Sequence, residues 1–274
     1  MHFPRNVALN DGRSMPQFGF GVWRVPNDEA SSIVQEAIQT GYRLIDTAAI
    51  YQNEEGVGQA IAATSVPRDD LFITTKLWNS EQGYDSTLRA FDESLRKLRL
   101  DAVDLYLIHW PLPNNGTYLD TWRALIKLRD DGRAKSIGVS NFTVPTLRRI
   151  IDETGVVPTI NQIELHPRFQ QRELRDFHGT HGILTESWSP LGRGAINDAV
   201  IQAIAAKHGK TPAQIILRWH LENDLVVIPK SATPSRIREN FDLFGFALDK
   251  DDMTAIGRLD SSAGRVGAHP DEMV

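Results

Sequence analysis

Eight short apolar runs, each followed by a longer segment of helical period, constrain this chain more than any other feature. The runs are residues 19–25, 43–48, 71–77, 103–110, 136–141, 160–165, 183–189 and 226–231. Near-continuous apolar runs of this length read as strands buried on both faces. Between them, apolar residues recur every three or four positions. Ile33, Val34, Ala37 and Ile38 share one face, as do Leu88, Phe91, Leu95 and Leu98. Thr211-Pro212-Ala213-Gln214 combines a capping box with proline at the first helical position. Strict alternation predicts parallel strands. The count of eight favours a closed (β/α)8 TIM barrel over an open doubly wound sheet, the alternative the pattern leaves open. Asn10-Asp11-Gly12, between Val7-Ala8-Leu9 and Ser14-Met15, predicts a short N-terminal β-hairpin. With no linker or composition shift along the way, residues 1–274 are expected to form one barrel domain.

Composition narrows the function classes. Hydrophobic residues are 41% of the chain, enough for a large core, and the net charge of −5 is spread without a basic block. A nucleic-acid or membrane-surface partner is therefore not expected. The chain has no cysteine, which excludes disulfides, thiolate metal sites and a cysteine nucleophile. Residues 1–10 lack the charged and apolar regions of a secretory signal, and no stretch approaches eighteen apolar residues. The expectation is a cytoplasmic monomer acting on a small molecule.

In such barrels chemistry sits at the C-terminal ends of the strands. Asp46 ends the second run, Tyr51 follows it in the loop, Lys76 ends the third and His109 the fourth. Each has a bland reading: an ion pair for Asp46 and Lys76, packing for Tyr51, a satisfied hydrogen-bonder for His109. Together they place a carboxylate, a phenol, an ammonium and an imidazole at one mouth. Trp23, Trp78, Trp110 and Trp188 close four of the same runs, so they should line an apolar pocket there, or else simply plug the barrel top.

The phosphate signals are uneven. Gly56-Val57-Gly58 lacks a third glycine and a preceding strand, and Gly192-Arg193-Gly194 is too short to judge alone. Residues 229–236 are better: Lys230 and Arg236 flank a helix start with Thr233 as its cap and Pro234 in the first turn, where free amide hydrogens favour an anion. His178 and His181 have no third ligand at useful spacing and read as surface residues, so no metal site is expected.

Six ordered segments carry a family resemblance. They are Gly-Tyr-Arg-Leu-Ile-Asp-Thr-Ala with Tyr51, Thr-Lys-Leu-Trp, Asp-Leu-Tyr-Leu-Ile-His-Trp-Pro, Ile-Gly-Val-Ser-Asn-Phe, Asn-Gln-Ile-Glu-Leu-His-Pro and Ile-Pro-Lys-Ser. Over roughly residues 5–260 the chain resembles the aldo-keto reductases. Asn-Glu-Glu-Gly-Val-Gly, Lys-Thr-Pro-Ala-Gln and the tail Gly-Arg-Val-Gly-Ala-His-Pro-Asp-Glu bring it nearest to the bacterial 2,5-diketo-D-gluconate reductase branch. The resemblance implies NADPH-dependent reduction of aldehydes or ketones, including α-dicarbonyls or keto-sugars, by a tetrad of Asp46, Tyr51, Lys76 and His109. It implies nicotinamide contacts from Ser140, Asn141 and Gln162, with Trp188 stacked on the ring where the wider family usually has tyrosine. Ser189, Leu191 and Gly192 would follow the pyrophosphate. Lys230, Ser231 and Arg236 would hold the 2′-phosphate, and Glu239 and Asn240 the adenine. Trp23, Trp78 and Trp110 would face the substrate. Only a short tail follows Leu259, so the long C-terminal loop of the mammalian members is missing.

On this reading Tyr51 donates the proton, Lys76 lowers its pKa, Asp46 fixes Lys76 and neutral His109 aligns the carbonyl oxygen. Two competing readings are a cofactor-free isomerase or aldolase using Lys76 as a Schiff base, and a non-catalytic cofactor-sensing subunit on the same fold.

Overall fold

Alternating inward and outward side chains are what let eight strands close on a filled interior. The computed structural model describes residues 5–273. A hairpin of β1 (Asn6–Ala8) and β2 (Ser14–Pro16) precedes eight parallel strands. These are β3 (Gly19–Gly21), β4 (Leu44–Asp46), β5 (Phe72–Leu77), β6 (Val103–Ile108), β7 (Ala134–Ser140), β8 (Ile160–Glu164), β9 (Leu184–Trp188) and β10 (Val226–Val227), each beside its sequence neighbour. The last strand returns to the first. Val227 N donates to Gln17 O at 3.1 Å and Gly21 N to Pro229 O at 3.1 Å, which closes the (β/α)8 barrel.

The helices are α1 (Asn27–Thr40), α2 (Glu54–Ala63), α3 (Tyr84–Leu98), α4 (Tyr118–Asp130), α5 (Val144–Thr154), α6 (Arg172–His181), α7 (Ala199–His208), α8 (Pro212–Glu222), α9 (Pro234–Phe241) and α10 (Lys250–Gly257). Among the described residues no helix is long and apolar enough to cross a membrane. The capping box at Thr211 forms as expected, with Thr211 and Gln214 each bonding the other's backbone N–H.

The hydrogen-bonded strands are shorter than several of the apolar runs. Run 226–231 shrinks to Val226–Val227, because Pro229 has no N–H for the ladder and the chain turns outward. Inside, Leu44, Phe72, Leu105, Leu107, Ile160, Val226 and Ile228 form one cluster. Leu9 and Met15 of the hairpin region join it and plug the barrel bottom, Met15 being fully buried. The opposite face of the pleat packs on the helices: Ile45, Ile73, Tyr106, Ile108, Ile137 and Val139 sit in the outer core with Val34, Phe91 and Trp122.

One sequence reading changes here, and the Gly56-Val57-Gly58 motif gains a packing role. His178 is buried, not on the surface: its ring lies 3.0 Å from Asn161 Nδ2 and 2.8 Å from Thr185 Oγ1, tying α6 to the outer faces of β8 and β9. A period-2 strand behind an amphipathic helix needs a polar partner wherever it presents Asn or Thr outward, and His178 supplies it. Gly56 and Gly58 lie inside α2, where they allow helices to touch. A Cβ on Gly56 would meet Asn27 O at 2.4 Å, and one on Gly58 would meet Leu98 O at 2.6 Å. Gly58→Ala should therefore force α2 away from α3. Overpacking of this kind costs about 1–3 kcal/mol, which thermal denaturation would register as a Tm lower by several degrees; an unchanged Tm would show that the two helices do not depend on this approach.

Candidate active site

The residues expected at the mouth meet there. Lys76 ends β5 pointing inward, and its Nζ lies 2.6 Å from Asp46 Oδ1, at the inward end of β4, and 3.0 Å from Thr47 O. Both side chains are buried, at 0% and 2% exposure, so this is an ion pair withdrawn from water. Tyr51 sits on a single 3-10 turn, Ala49–Tyr51, with the Lys76 ammonium 5.1 Å from its ring centroid. His109, just past β6, packs edge-on to Tyr51 at 5.8 Å and to Trp78 at 5.2 Å between ring centroids.

The turn carrying Tyr51 is held by a residue the sequence reading passed over. Asn53 is fully buried; its Nδ2 donates to Val22 O and Val25 O, both at 2.9 Å, and its Oδ1 accepts from Thr47 Oγ1 at 2.8 Å. It fastens the loops after β3 and β4 to each other.

Charge states follow from this packing. Burial pulls the Lys76 ammonium down, but Asp46, with Tyr51, outweighs it and holds the group above the ordinary lysine value. Burial, and then the Lys76 charge, push His109 well below the usual histidine range, so the ring is neutral. Burial raises the Tyr51 phenol more than the charge and hydrogen bond of Lys76 lower it. The expected lowering by Lys76 is thus real but overcome, and Tyr51 rests as the protonated phenol.

Beside this group, Ser140, Asn141, Gln162 and Trp188 form a connected set. Ser140 Oγ donates to Gln162 O at 2.8 Å, and Asn141 Nδ2 to His109 O at 2.9 Å. Trp188 Nε1 donates to Asn141 Oδ1 at 2.8 Å, which fixes the indole plane. Asn141 holds φ +62°, a conformation that asparagine tolerates better than most residues. Gln162 Nε2 donates to Asp46 Oδ2 and to Glu186 Oε2, each at 2.9 Å. Glu186 was not anticipated, although period-2 spacing puts it on the same inward face as Trp188, one layer deeper. Burial, then Asp46, push its carboxyl up to about 8 against the opposing pull of Gln162 and Lys76.

The remaining expected positions line a separate cavity of about 510 Å³ that includes Leu191, Lys230, Ser231, Arg236, Glu239 and Asn240. Lys230 and Arg236 are exposed at its edge. Pro234 opens α9 there, but the Thr233 side chain makes no capping bond; Ser231 Oγ accepts from Thr233 N at 3.1 Å instead. Glu239 Oε1 accepts from Thr211 Oγ1 at 2.8 Å. Ser189 (φ +49°) and Gly192 (φ +55°) shape the turn after β9, closed by Gly192 N donating to Ser189 O at 2.9 Å. A Cβ at Gly192 would strike the His166 ring at 2.9 Å. A larger cleft of about 890 Å³ lies outside the barrel, against α6, α8 and α10, and has no lining residue in common with the mouth.

Trp23, Trp78, Trp110 and Trp188 all stand at the mouth, with Trp23 the most exposed at 47%. The short tail also returns to it. Val266 N and Gly267 N donate to the Glu164 carboxylate at 2.6 and 2.8 Å, while His166 Nε2 lies 3.1 Å from the same group. A Cβ on Gly267 would sit 2.5 Å from the Trp188 ring, so only glycine lets the tail lie on the indole.

Comparisons with known proteins agree with this geometry. Residues 15–261 match the Aldo/keto reductase family. Methylglyoxal reductase DkgA of Escherichia coli (strain K12) is 54% identical over 272 residues, covering 98% of each chain. An aldo/keto reductase from Brucella melitensis superposes with a TM-score of 0.93 at 60% identity, covering 95% of this chain and 99% of its own. A variant of Gox0644, solved in complex with NADPH, gives a TM-score of 0.96 at 55% identity over all of both chains. On family match, relatives and fold alike, the chain belongs to the aldo-keto reductase family.

Proposed function

We propose that the protein reduces small aldehydes and ketones to alcohols with NADPH, with Tyr51 as proton donor. The observation that carries this reading is the buried Asp46–Lys76 pair beneath a protonated Tyr51 and next to a neutral His109. Solved relatives bound to NADPH or NADP support the cofactor. The 54% identity to a methylglyoxal reductase makes α-dicarbonyls the first substrate class to test, with keto-sugars next.

The chain fits a dinucleotide at both ends. Ser140, Asn141 and Gln162 would hold the nicotinamide amide, with Trp188 against the ring and Ser189, Leu191 and Gly192 along the pyrophosphate. The cavity at Lys230, Ser231, Arg236, Glu239 and Asn240 would take the adenosine end, its two cations facing the 2′-phosphate. When bound, NADPH supplies the hydride. The protein's own task lies at the carbonyl oxygen, where negative charge develops. His109, kept neutral, offers a hydrogen bond without a competing charge. Tyr51 transfers its proton to that oxygen, and Lys76 stabilises the phenolate left behind. Asp46 holds Lys76 charged and in place, and the tryptophan rim with residues 264–267 keeps water out.

The Schiff-base reading of Lys76 is disfavoured. A nucleophilic amine must be neutral and accessible, whereas Lys76 is fully buried and its ammonium is reinforced by Asp46. A cofactor-sensing subunit would have no need of the complete tetrad.

Tyr51→Phe should lower turnover by at least about 10²-fold, the scale of a lost general acid, while the NADPH dissociation constant barely moves. Steady-state rates with methylglyoxal and a binding titration check both; near-normal turnover would remove Tyr51 from the reaction. NADPH should quench tryptophan fluorescence, and Trp188→Ala should abolish most of that quench and weaken binding by about 0.5–1.5 kcal/mol. A full quench in that variant would put the nicotinamide elsewhere. Arg236→Ala should weaken NADPH about tenfold or more through one lost charge-assisted contact, and NADH little. Lys230→Ala should act in the same direction, and wild-type preference for NADPH should shrink as salt rises. Equal losses for both cofactors would assign these residues to the fold.

A further inference from the structure

Glu186 is a buried carboxyl that the reaction above does not use, yet it is built into the site. It pairs with Gln162 across the β8–β9 ladder, and both side chains point into the barrel. Gln162 Nε2 carries two hydrogens, one directed at Asp46 Oδ2 and the other at Glu186 Oε2, both at 2.9 Å. Asp46 is ionised against Lys76 and can only accept, so the amide nitrogen, not its oxygen, must face it. With both hydrogens committed to carboxyl groups, nothing of Gln162 remains for a ligand except Oε1, which takes no hydrogen bond from the described residues.

We propose that Glu186 is a positioning residue: by accepting the second amide hydrogen of Gln162 it locks the amide so that only the oxygen faces the nicotinamide, which is then recognised through its carboxamide NH2. Two further observations fit. Glu186 Oε1 is enclosed without a hydrogen-bond partner. A bare carboxylate oxygen would be costly there, whereas a carboxylic acid can carry its proton on that atom and accept with the other. The upward push on Glu186 from burial and Asp46 agrees. A neutral acid also leaves the Asp46–Lys76–Tyr51 charge balance undisturbed, so the site gains an acceptor without a second anion.

The inference rests on the cofactor reading above, and the test separates the two. NADP+ and its 3-acetylpyridine analogue, in which a methyl replaces the carboxamide NH2, are titrated by tryptophan fluorescence against wild type, Glu186→Leu and Glu186→Gln. Glu186→Leu keeps most of the volume and removes the acceptor. Glu186→Gln matches the neutral acid and keeps an accepting oxygen. Wild type should bind the analogue about three- to tenfold more weakly, the scale of one lost hydrogen bond. Glu186→Gln should keep that discrimination, and Glu186→Leu should bring it to within about twofold, because the second amide hydrogen is then unheld and the side chain can swing about its Asp46 bond, taking Oε1 off the ligand. The NADPH to NADH ratio should stay unchanged in both variants, since the phosphate end is untouched; a loss of bulk packing would weaken both dinucleotides together. Wild-type discrimination that persists in Glu186→Leu overturns the positioning role alone, leaving the cofactor reading intact. Should Glu186→Leu fail to fold, loss of discrimination in the isosteric Glu186→Gln overturns it equally. No quench, or no discrimination, in wild type removes the cofactor placement and the proposal with it.

Discussion

An ion pair with almost no exposure, Lys76 on Asp46, is the constraint around which the rest of the mouth is arranged. Withdrawing two such ions from water costs several kcal/mol each, and their attraction offsets this only when the remaining hydrogen-bonding capacity is filled. Here it is filled: Lys76 also donates to Thr47 O, and the second oxygen of Asp46 receives Gln162. The pair cannot relax by neutralising either member without leaving the other bare. A positive charge is thereby kept in a dry interior at neutral pH. Both neighbours feel it: it adds to the burial that keeps His109 neutral, and the phenolate form of Tyr51 gains a partner that bulk water would not provide.

The two ends of the proposed cofactor site obey different electrostatics. Beside the partly buried Tyr51, Asp46, Lys76 and His109 are buried and packed, so small displacements are resisted and interactions are strong. At Lys230 and Arg236 the cations are exposed, and their effect is screened by salt. Between the two ends stands Trp188, oriented by its bond to Asn141 and backed by Gly267. The rigid end suits alignment of reacting atoms, and the soft end suits discrimination by charge.

The features readable in advance were those that repeat or that chemistry singles out. Alternating runs set the eight strands and therefore which residues reach the mouth; polar groups at strand ends, such as Asp46, Lys76 and His109, then stood out against apolar surroundings. Harder to read were residues whose meaning depends on a partner far away in sequence. His178 looks polar and superficial until Asn161 and Thr185 are placed behind its helix. Gly56 and Gly58 made a poor phosphate motif and had no other reading until the backbone of Asn27 and Leu98 was placed against them. Asn53 gives no signal of its own, because its bonds run to carbonyls more than twenty residues away. Glu186 lies two residues before Trp188, so period-2 spacing puts it on the same inward face one layer down, where no strand-end signal marks it.

Residues 261–267 lie over the site and are tied to the barrel. The segment after Leu259 spans the mouth on backbone bonds. Ser261 N donates to Arg168 O, and Val266 and Gly267 donate to Glu164, one inward position above Gln162 on β8. Asn114, after β6, reaches Asp271 O at 3.5 Å on the far side. Glu164 is thus a carboxylate whose partners are two amide hydrogens and His166. Burial works against its charge, but the His166 and backbone bonds prevail and keep it below the usual glutamate value. A charged latch at the top of β8 and a neutral acid at Glu186 on β9 differ in depth of burial, in the charge beside them and in the donors around them. Those differences let one carboxyl anchor a strap and the other orient an amide within the same barrel.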